Sequence, residues 1–333
     1  MAGLRAPLAR LLGVAPGTLG KLRTPLRVPQ VLPRPWPDEG AILQAVAPHI
    51  DTAPRFLAAA GRRALHSYEP GLPLTELHAK GEAVPDATLR RLVLLLGRVA
   101  TVPSDVLPAL PGDWPRDTDS GAFLRLLVDF AEHEVHQHSR AHFGNLFAAL
   151  GLPGHPLNRF LDLALTLSRR PFSLLHADVH RDNLVVLRDG RLFLLDWEYA
   201  LYGDPLHELA THVARMGYPD HQRDELLRMW RKEMDQLGLS ARTAGFDQDF
   251  PVYLDFERAQ SVFPDTIRAA LWLRHGDGPD RVAEAAAAIH ASLLLARGPL
   301  DLDGVPTRRE IGAALRDWRR EDRHRWMRPR SRP

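Results

Sequence analysis

The sequence has no cysteine among its 333 residues, so disulfide bonds and thiolate metal sites are excluded. It has no apolar run of about 18 residues, the length that spans a bilayer. The opening segment, MAGLRAPLARLLGVAPGTLG, carries scattered arginines and lacks the sustained apolar stretch of a secretory signal. With 45% hydrophobic and 25% charged residues, the composition is that of a globular protein. Together these features predict a cytoplasmic protein without a membrane span.

Lysine is nearly absent as well. Only Lys21, Lys80 and Lys232 occur among 43 basic residues, so arginine is the usual cation of this chain. Residues 316–333 alone hold eight arginines against three acids, which makes the basic character largely a property of the C-terminal segment. A site that requires a lysine therefore has few candidates.

The strongest chemical signal lies between residues 174 and 200. A polar stretch from His176 to Asn183 is typical of a loop, and two apolar, β-prone runs follow it at 184–187 and 192–195. An Asp-Gly pair between these runs is typical of a tight hairpin turn. The hairpin brings Asn183, before its first strand, near Asp196, after its second. Two oxygen ligands at one end of a hairpin suit Mg²⁺, and Asp178 on the loop can accept a proton from an attacking hydroxyl.

This pattern resembles a known family. The spacing His176-x-Asp178-x-x-x-x-Asn183, with Asp196 thirteen residues later, resembles the catalytic loop and metal-binding aspartate of kinase-like phosphotransferases. The segment DWEYA that begins at Asp196, and the Gly-Asp-Pro at 203–205, are similar to the aminoglycoside phosphotransferase and choline/thiamine kinase superfamily. The resemblance implies an α+β, bilobal protein-kinase-like fold, with a small, reduced, β-rich N-terminal lobe and a large, mainly helical C-terminal lobe that holds the catalytic hairpin.

The resemblance also assigns roles. Asp178 is the expected catalytic base and His176 a supporting residue of the catalytic loop. Asn183 and Asp196 are the expected magnesium ligands, with ATP as the phosphate donor. Asp204, followed by proline, is expected to cap a helix. Weaker candidates for contacts with ligand or metal are His180, Arg181, Asp182 and Glu198.

The N-terminal lobe, expected over residues 1–66, matches the family least. Residues 38–46 predict its helix, with Glu39 as the glutamate that pairs with a phosphate-binding lysine. Lys21 is the one lysine in a suitable position. A strand is predicted over residues 25–32, however, and if that strand borders the nucleotide, Arg23 or Arg27 has to hold the phosphates instead.

The resemblance implies the remaining lobe boundaries, and periodicity predicts the helices. Residues 67–74 resemble the hinge between the lobes, with Tyr68 beside the expected nucleotide, and 75–326 form the helical lobe. Apolar residues recur at helical spacing over 86–99, 122–149, 157–167, 206–216, 221–236, 253–274, 281–296 and 307–326. Residues 327–333 are expected to be a disordered basic tail.

Four histidines, at positions 133, 136, 138 and 142, invite a metal interpretation. Two pairs share helix faces, but the pairs do not converge on one point as zinc requires. They are therefore interpreted as residues of a solvated helix.

These observations predict an ATP- and Mg²⁺-dependent phosphotransferase. Its acceptor would be a hydroxyl on a small, amine-bearing molecule, such as an aminoglycoside-like antibiotic, an amino alcohol or a biosynthetic intermediate. Acids at 247, 249, 255, 257 and 265 could meet a cationic acceptor, although a solvated helix face explains most of them equally well.

Two alternatives stay open. The eroded N-terminal lobe suits a nucleotide- or ligand-binding pseudokinase, and the arginine-rich end with Trp318 and Trp326 suits a kinase for RNA. A nucleic-acid partner is disfavoured because arginine is the default cation here. The sequence leaves open the acceptor, the choice between ATP and GTP, and the oligomeric state.

Overall fold

The computed structural model of the chain describes residues 2–23, 30–61 and 63–327. The chain divides into two compact units. The first unit comprises Met1–Val28, Pro33–Phe123 and Leu167–Phe250, and the second comprises Pro29–Leu32, Leu124–Thr166 and Pro251–Pro333. None of the described helices combines the length and the apolar character that crossing a membrane would need.

The first part of the chain forms an antiparallel sheet. Its strands are β1 (Ala2–Gly3), β2 (Leu19–Arg23), β3 (Phe56–Ala60) and β4 (Arg63–Tyr68), in the order β1-β2-β4-β3. Helix α1 (Ala6–Leu11) lies between β1 and β2 in sequence, and helix α2 (Glu39–Val46) lies between β2 and β3. The strand predicted over 25–32 falls mostly on residues 24–29, which lie outside the described ranges and include Arg27.

Helix α2 begins where the sequence predicts it. The Asp38 side chain accepts a hydrogen bond from the backbone N of Gly40 at 2.9 Å, and so caps the first turn. The helix thereby presents Glu39 in its first turn.

Short strands continue along the chain as β5 (Gly71–Pro73), β6 (Ser173–Leu175), β7 (Leu184–Leu187), β8 (Leu192–Leu194) and β9 (Leu201–Gly203). Strands β5, β7 and β8 form one antiparallel sheet, and β6 pairs with β9 in another. The predicted hairpin is confirmed: β7 and β8 pair through a turn in which Gly190 has φ of 80°. That left-handed conformation is one that glycine adopts readily.

Helices make up most of the rest of the described chain. Their bounds are α3 (Leu74–Leu77), α4 (Asp86–Ala100), α5 (Ser120–Phe130), α6 (His138–Ala149), α7 (Arg159–Ala164), α8 (Pro205–Met216), α9 (Asp220–Gln236), α10 (Phe246–Trp272), α11 (Pro279–Ala296) and α12 (Arg308–Met327). The periodicity predicted most of these elements, with bounds that differ at the ends. The final residues, 328–333, lie outside the described ranges.

Aromatic packing fixes the strands β6 and β9 in the first unit. The ring of Phe172 lies 5.5 Å from that of Phe123 and 5.9 Å from that of Tyr202, measured between centroids. A Cβ atom at Gly203 would lie 2.2 Å from the Phe123 ring, so only glycine fits there. This core holds the ends of the strands from which the loop 176–183 and helix α8 start.

The second unit corrects the interpretation of the four histidines. The solvated-helix interpretation is wrong for His136, which is only 2% exposed. Its ring centroid lies 4.4 Å from that of Phe263, and its Nδ1 lies 3.1 Å from Oε1 of Glu132. The predicted continuous helix over 122–149 is also interrupted by a π-helical stretch, Ala131–Gln137, that contains both residues. Helical spacing alone did not reveal that this face is covered by another helix.

Candidate functional site

The loop between β6 and β7 begins with a fully buried histidine. Nε2 of His176 lies 3.0 Å from the carbonyl oxygen of Leu195, and its Nδ1 accepts from the backbone N of Asp178 at 3.3 Å. Burial lowers the pKa of His176 to about 4, so the ring is neutral at pH 7. His176 therefore joins the loop to the second strand of the hairpin.

A buried glutamate on α8 holds the next turn of the loop. The side chain of Glu208 accepts hydrogen bonds from the backbone N of His176 and, at 3.1 Å, of Ala177. Ala177 has φ of 58°, a left-handed conformation that costs a non-glycine residue roughly 1–2 kcal/mol. Burial raises the pKa of Glu208 to about 7, although the hydrogen bonds from the two backbone N–H groups lower it. This role was not predicted from the sequence, because an acid in a helix carries no sign of a distant backbone partner.

Asp178 is buried and contacts three side chains. Its Oδ2 accepts from Nδ2 of Asn183 at 2.9 Å and lies 3.5 Å from Nε2 of His180, while Oδ1 pairs with Nη1 of Arg215. Burial alone would raise the pKa of Asp178, but the hydrogen bond from His180 and the charge of Arg215 hold it below its ordinary value. The carboxylate is thus ionised at pH 7.

The hairpin brings the two predicted metal ligands to the same end of the sheet. The backbone N of Leu195 donates to the carbonyl oxygen of Asn183 at 2.8 Å, which places Asn183 beside the residue that precedes Asp196. Asn183 uses its amide nitrogen on Asp178, which leaves its amide oxygen for another group. Asp196 has φ of 65° and keeps 37% of its side chain exposed.

These two residues fit a magnesium ion in chemical terms. Within the described ranges, no cluster of three or more His, Cys, Asp or Glu residues is arranged to hold a metal. Asn183 and Asp196 nevertheless offer an amide and a carboxylate oxygen, the hard donors that Mg²⁺ combines with phosphate oxygens and water.

Arg23, at the end of β2, connects this end of the hairpin to α2. Its guanidinium lies 2.6 Å from Oε1 of Glu39, 2.6 Å from Oδ1 of Asp196 and 3.2 Å from Oε2 of Glu198. Glu39 also accepts from the backbone N of Trp197 at 3.0 Å. Burial raises the pKa of Glu39 to about 7, and the charge of Arg23 opposes this rise. Arg23 thus lies among three carboxylates.

Lys21 does not form the pair with Glu39 that the sequence suggested, which is a correction. The Lys21 side chain is exposed and has no ion-pair partner in the described part of the chain. Two residues along a strand span about 7 Å, so Lys21 lies one repeat earlier on β2 than Arg23. The local sequence could not decide between these two cations, because the choice depends on the strand register against β4.

The other candidates take different positions. Tyr68 is half-buried at the end of β4, where the chain passes through residues 69–70 to β5. Arg181 is buried and donates to the backbone carbonyl oxygens of His78, Glu82 and Met216, which is a structural role. Asp182 keeps 69% of its side chain exposed. His180 contacts Asp178, and Glu198 contacts Arg23, as described above.

Solved structures resemble this chain over most of its length. The ethanolamine kinase of Plasmodium vivax is 11% identical, with 85% of this chain and 78% of that chain covered and a TM-score of 0.56. The macrolide 2'-phosphotransferase of Brachybacterium faecium, as the apoenzyme, is 19% identical, with 82% of this chain and 85% of that chain covered and a TM-score of 0.45. The first of these likenesses, together with the sheets and helices described above, confirms the predicted α+β, kinase-like fold.

Sequence comparison identifies the family. No curated protein matches the chain. The profile of the phosphotransferase enzyme family, in contrast, matches residues 23–245. This range begins at Arg23 and contains Glu39, the loop, the hairpin and helix α8. The chain therefore belongs to the phosphotransferase enzyme family.

Proposed function

We propose that this protein is an ATP- and Mg²⁺-dependent phosphotransferase that phosphorylates a hydroxyl of a small molecule. One observation carries the proposal: the carboxylate of Asp178 is hydrogen-bonded to Asn183, and the hairpin joins Asn183 to Asp196. In this proposal, Asn183 and Asp196 hold the metal ion, which when bound neutralises charge on the transferring phosphate. Asp178 accepts the proton of the acceptor hydroxyl, and His176 fixes the loop.

The nucleotide phosphates would be held by Arg23. Arg23 lies between Glu39 and Asp196, where the resemblance leads us to expect a lysine. A guanidinium can bind phosphate oxygens through two parallel N–H groups. The predicted lobe over 1–66, with its hinge at 67–74 and Tyr68, would cover the nucleotide above the catalytic region within 75–326.

The amine group expected on the acceptor gains no support from the five acids that suggested it. Each has a partner in the described structure: Asp247 with Arg231, Asp249 with Arg170, Asp255 with Arg258, Glu257 with Gln260, and Asp265 with Arg268. An amine-bearing acceptor stays a prediction from the resemblance.

The test is acceptor-dependent ADP release by the purified protein, with a broad panel of hydroxyl compounds. Asp178→Asn should lower turnover about a hundredfold or more, because the variant cannot take the proton, while nucleotide affinity changes little. Asp182→Asn, an exposed acid on the same loop, is the matched control and should retain turnover. Wild-type turnover in Asp178→Asn would remove Asp178 from the mechanism.

A second candidate, a nucleotide-binding pseudokinase, is favoured by the two arginines that already pair with Asp178 and Asp196. Nucleotide binding without ADP release for any acceptor would support it. The RNA-kinase alternative depends on the C-terminal segment, whose last residues, 328–333, lie outside the described ranges.

A further inference from the structure

Positive charge is concentrated at the end of the chain. Residues 308–333 hold ten arginines and four acids, a net charge of +6, whereas the whole chain carries +2. Most of these residues belong to helix α12, which lies in the second unit. A basic segment of this kind attracts polyanions, such as nucleic acid or an anionic membrane. The structure of α12 decides which of its side chains are available for such a contact.

One side of α12 packs into the second unit and removes an acid and an aromatic ring from the surface. The side chain of Asp322 is 0% exposed and pairs with Arg274 and Arg319. Trp318 is 3% exposed, and its ring stacks on Phe143 with the centroids 5.3 Å apart. Because it is enclosed in this way, Trp318 is not available to stack on a nucleic-acid base.

The outer side of α12 carries a row of exposed arginines. Arg309, Arg316 and Arg320 are exposed, and Ala313 is exposed between the first two. Positions four, seven and eleven residues after the first share one face of a helix. In the part of the chain that the structure describes, Arg309 and Arg316 have no ion-pair partner. Arg320 pairs with Asp317 at the surface, where such a pair contributes little. The row thus presents positive charge to the solvent.

Helix α11 lies directly beside this row. A Cβ atom at Gly312 would lie 3.5 Å from Cγ1 of Val282 and 3.9 Å from Cβ of Ala286, so α12 packs closely against α11. Both helices bury the side that faces the core of the second unit. Their exposed sides therefore form one continuous outer surface.

The exposed side of α11 is mostly apolar. Leu294 and Leu295 are each 54% exposed, and exposed alanines precede them at positions 283, 288 and 291. Acids occur in this helix only at Asp280 and Glu284, near its beginning. The two helices thus present arginines on α12 beside leucines and alanines on α11.

An anionic bilayer matches both parts of this surface. Its phosphates attract arginines, and each arginine near the membrane raises the affinity about fivefold. The boundary between headgroups and acyl chains takes up leucine side chains. Nucleic acid also offers phosphates, but its bases need exposed aromatic rings for stacking, and Trp318 is buried. A bilayer therefore accounts for the arginines and the leucines, whereas nucleic acid accounts for the arginines alone.

We propose that the protein docks on membranes that contain anionic phospholipids through the α11–α12 face, which consists of Arg309, Arg316, Arg320, Leu294 and Leu295. The arginines contact the lipid phosphates, and the leucines enter the boundary between headgroups and acyl chains. This contact is peripheral and requires no membrane-spanning helix. It does not depend on the proposed phosphotransferase function.

Binding of the full-length protein to lipid vesicles tests the proposal. Co-sedimentation measures the affinity for vesicles of equal parts phosphatidylglycerol and phosphatidylcholine, and for vesicles of phosphatidylcholine alone. The affinity for the anionic vesicles should be about tenfold higher or more, and it should fall as the salt concentration rises, because salt screens the charges. Equal affinity for the two kinds of vesicle, or binding to neither, would overturn the proposal.

Two double variants separate the charged part of the face from the apolar part. Arg309→Gln/Arg316→Gln should lower the affinity for anionic vesicles about tenfold or more and make its salt dependence shallower. Leu294→Ser/Leu295→Ser should also lower this affinity about tenfold, but with the salt dependence of the wild type. All four positions are exposed, and thermal unfolding followed by circular dichroism checks that the variants are folded.

A third double variant controls for net charge. Arg90→Gln/Arg188→Gln removes the same charge from exposed positions in the first unit and should bind as the wild type. Equal losses of affinity in the two arginine variants would mean that net charge alone attracts the protein, which overturns the proposal.

Three further outcomes would assign the binding elsewhere and overturn the proposal. Loss of vesicle binding on removal of residues 328–333, with no loss in Arg309→Gln/Arg316→Gln, would assign it to the end of the chain. Tighter binding to a uridine oligonucleotide than to vesicles, dependent on the arginines but not on the leucines, would assign the face to nucleic acid. Self-association without vesicles, measured by light scattering and lost in Leu294→Ser/Leu295→Ser, would assign the face to a second copy of the chain.

Discussion

Arg23 is the residue that we propose holds the nucleotide phosphates in place of a lysine. Because its guanidinium lies among Glu39, Asp196 and Glu198, Arg23→Gln removes the cation that the described residues bring to these three carboxylates. We expect the KM of ATP to rise about tenfold or more, roughly 1.4 kcal/mol. Lys21→Gln should change it little, since Lys21 is exposed and has no ion pair within the described residues. Steady-state kinetics at saturating acceptor measures both values.

Two comparisons keep this prediction specific. Arg23→Lys retains the charge but loses the planar fork, so its KM should lie between those of the wild type and Arg23→Gln. Arg63→Gln, at an exposed position on β4 of the same sheet, should behave as the wild type. If Lys21→Gln raises the KM of ATP and Arg23→Gln does not, the phosphates are held one repeat earlier on β2.

Among the elements, helix α8 depends on a buried ionic network at its first turn. Asp204 caps the helix by accepting from the backbone N of Leu206 at 2.9 Å, and its carboxylate pairs with the fully buried Arg170. Arg170 also pairs with Asp249, in the first turn of α10. The capping role predicted for Asp204 is confirmed, and the structure adds the cation that the sequence did not reveal.

Replacing the shared cation should lower the free energy of unfolding more than replacing one carboxylate. Arg170→Met removes the cation that the two buried carboxylates share, and we expect it to lower the free energy of unfolding by about 3–5 kcal/mol. Asp204→Asn should cost clearly less, because asparagine also caps helices and Arg170 keeps Asp249. Urea denaturation measures both changes. The exposed Asp220→Asn, on α9, is the control; equal losses in all three variants would contradict the prediction.

At the scale of the whole molecule, buried histidines should make the protein sensitive to acid. Burial lowers the pKa values of His66, His176, His207 and His212 to about 4, against 6.5 for an exposed ring. Their neutral forms therefore contribute stability that is present above pH 6.5 and is lost as the pH falls towards 4. Glu39 and Glu208, with their pKa values raised to about 7, contribute in the opposite direction, since their stabilisation is lost as the pH rises from 4.5 to 7. The four histidines outweigh the two glutamates, so the free energy of unfolding should fall between pH 6.5 and 4.

Denaturation by urea across this pH range provides the measurement. His212→Gln can keep polar contacts with the carbonyl oxygen of Val179 and the hydroxyl of Tyr218, but it cannot titrate, so the fall in stability should become shallower. His221→Gln, at an exposed position on α9, should leave the slope unchanged. A wild-type stability that stays constant from pH 6.5 to 4 would contradict the prediction.

The sequence by itself determined the features that depend on near neighbours. An Asp-Gly turn between two apolar runs specified the hairpin, so the approach of Asn183 to Asp196 could be predicted from local spacing. The cap at Asp204 followed for the same reason, since it acts within three residues. Helical periodicity located most helices, because one buried face imposes a repeat on consecutive residues.

Only the tertiary structure decided which distant side chains meet. Arg23 and Asp196 are 173 residues apart in the chain, and Asp178 and Arg215 are 37 apart. In a chain where arginine is the usual cation, no local pattern distinguishes the arginine that reaches a carboxylate from those that face solvent. The burial of His136 has the same origin, because it depends on Phe263 of another helix. Local turns and caps are fixed by bonds between near neighbours, whereas the partners of charged and buried groups are fixed by how whole elements pack.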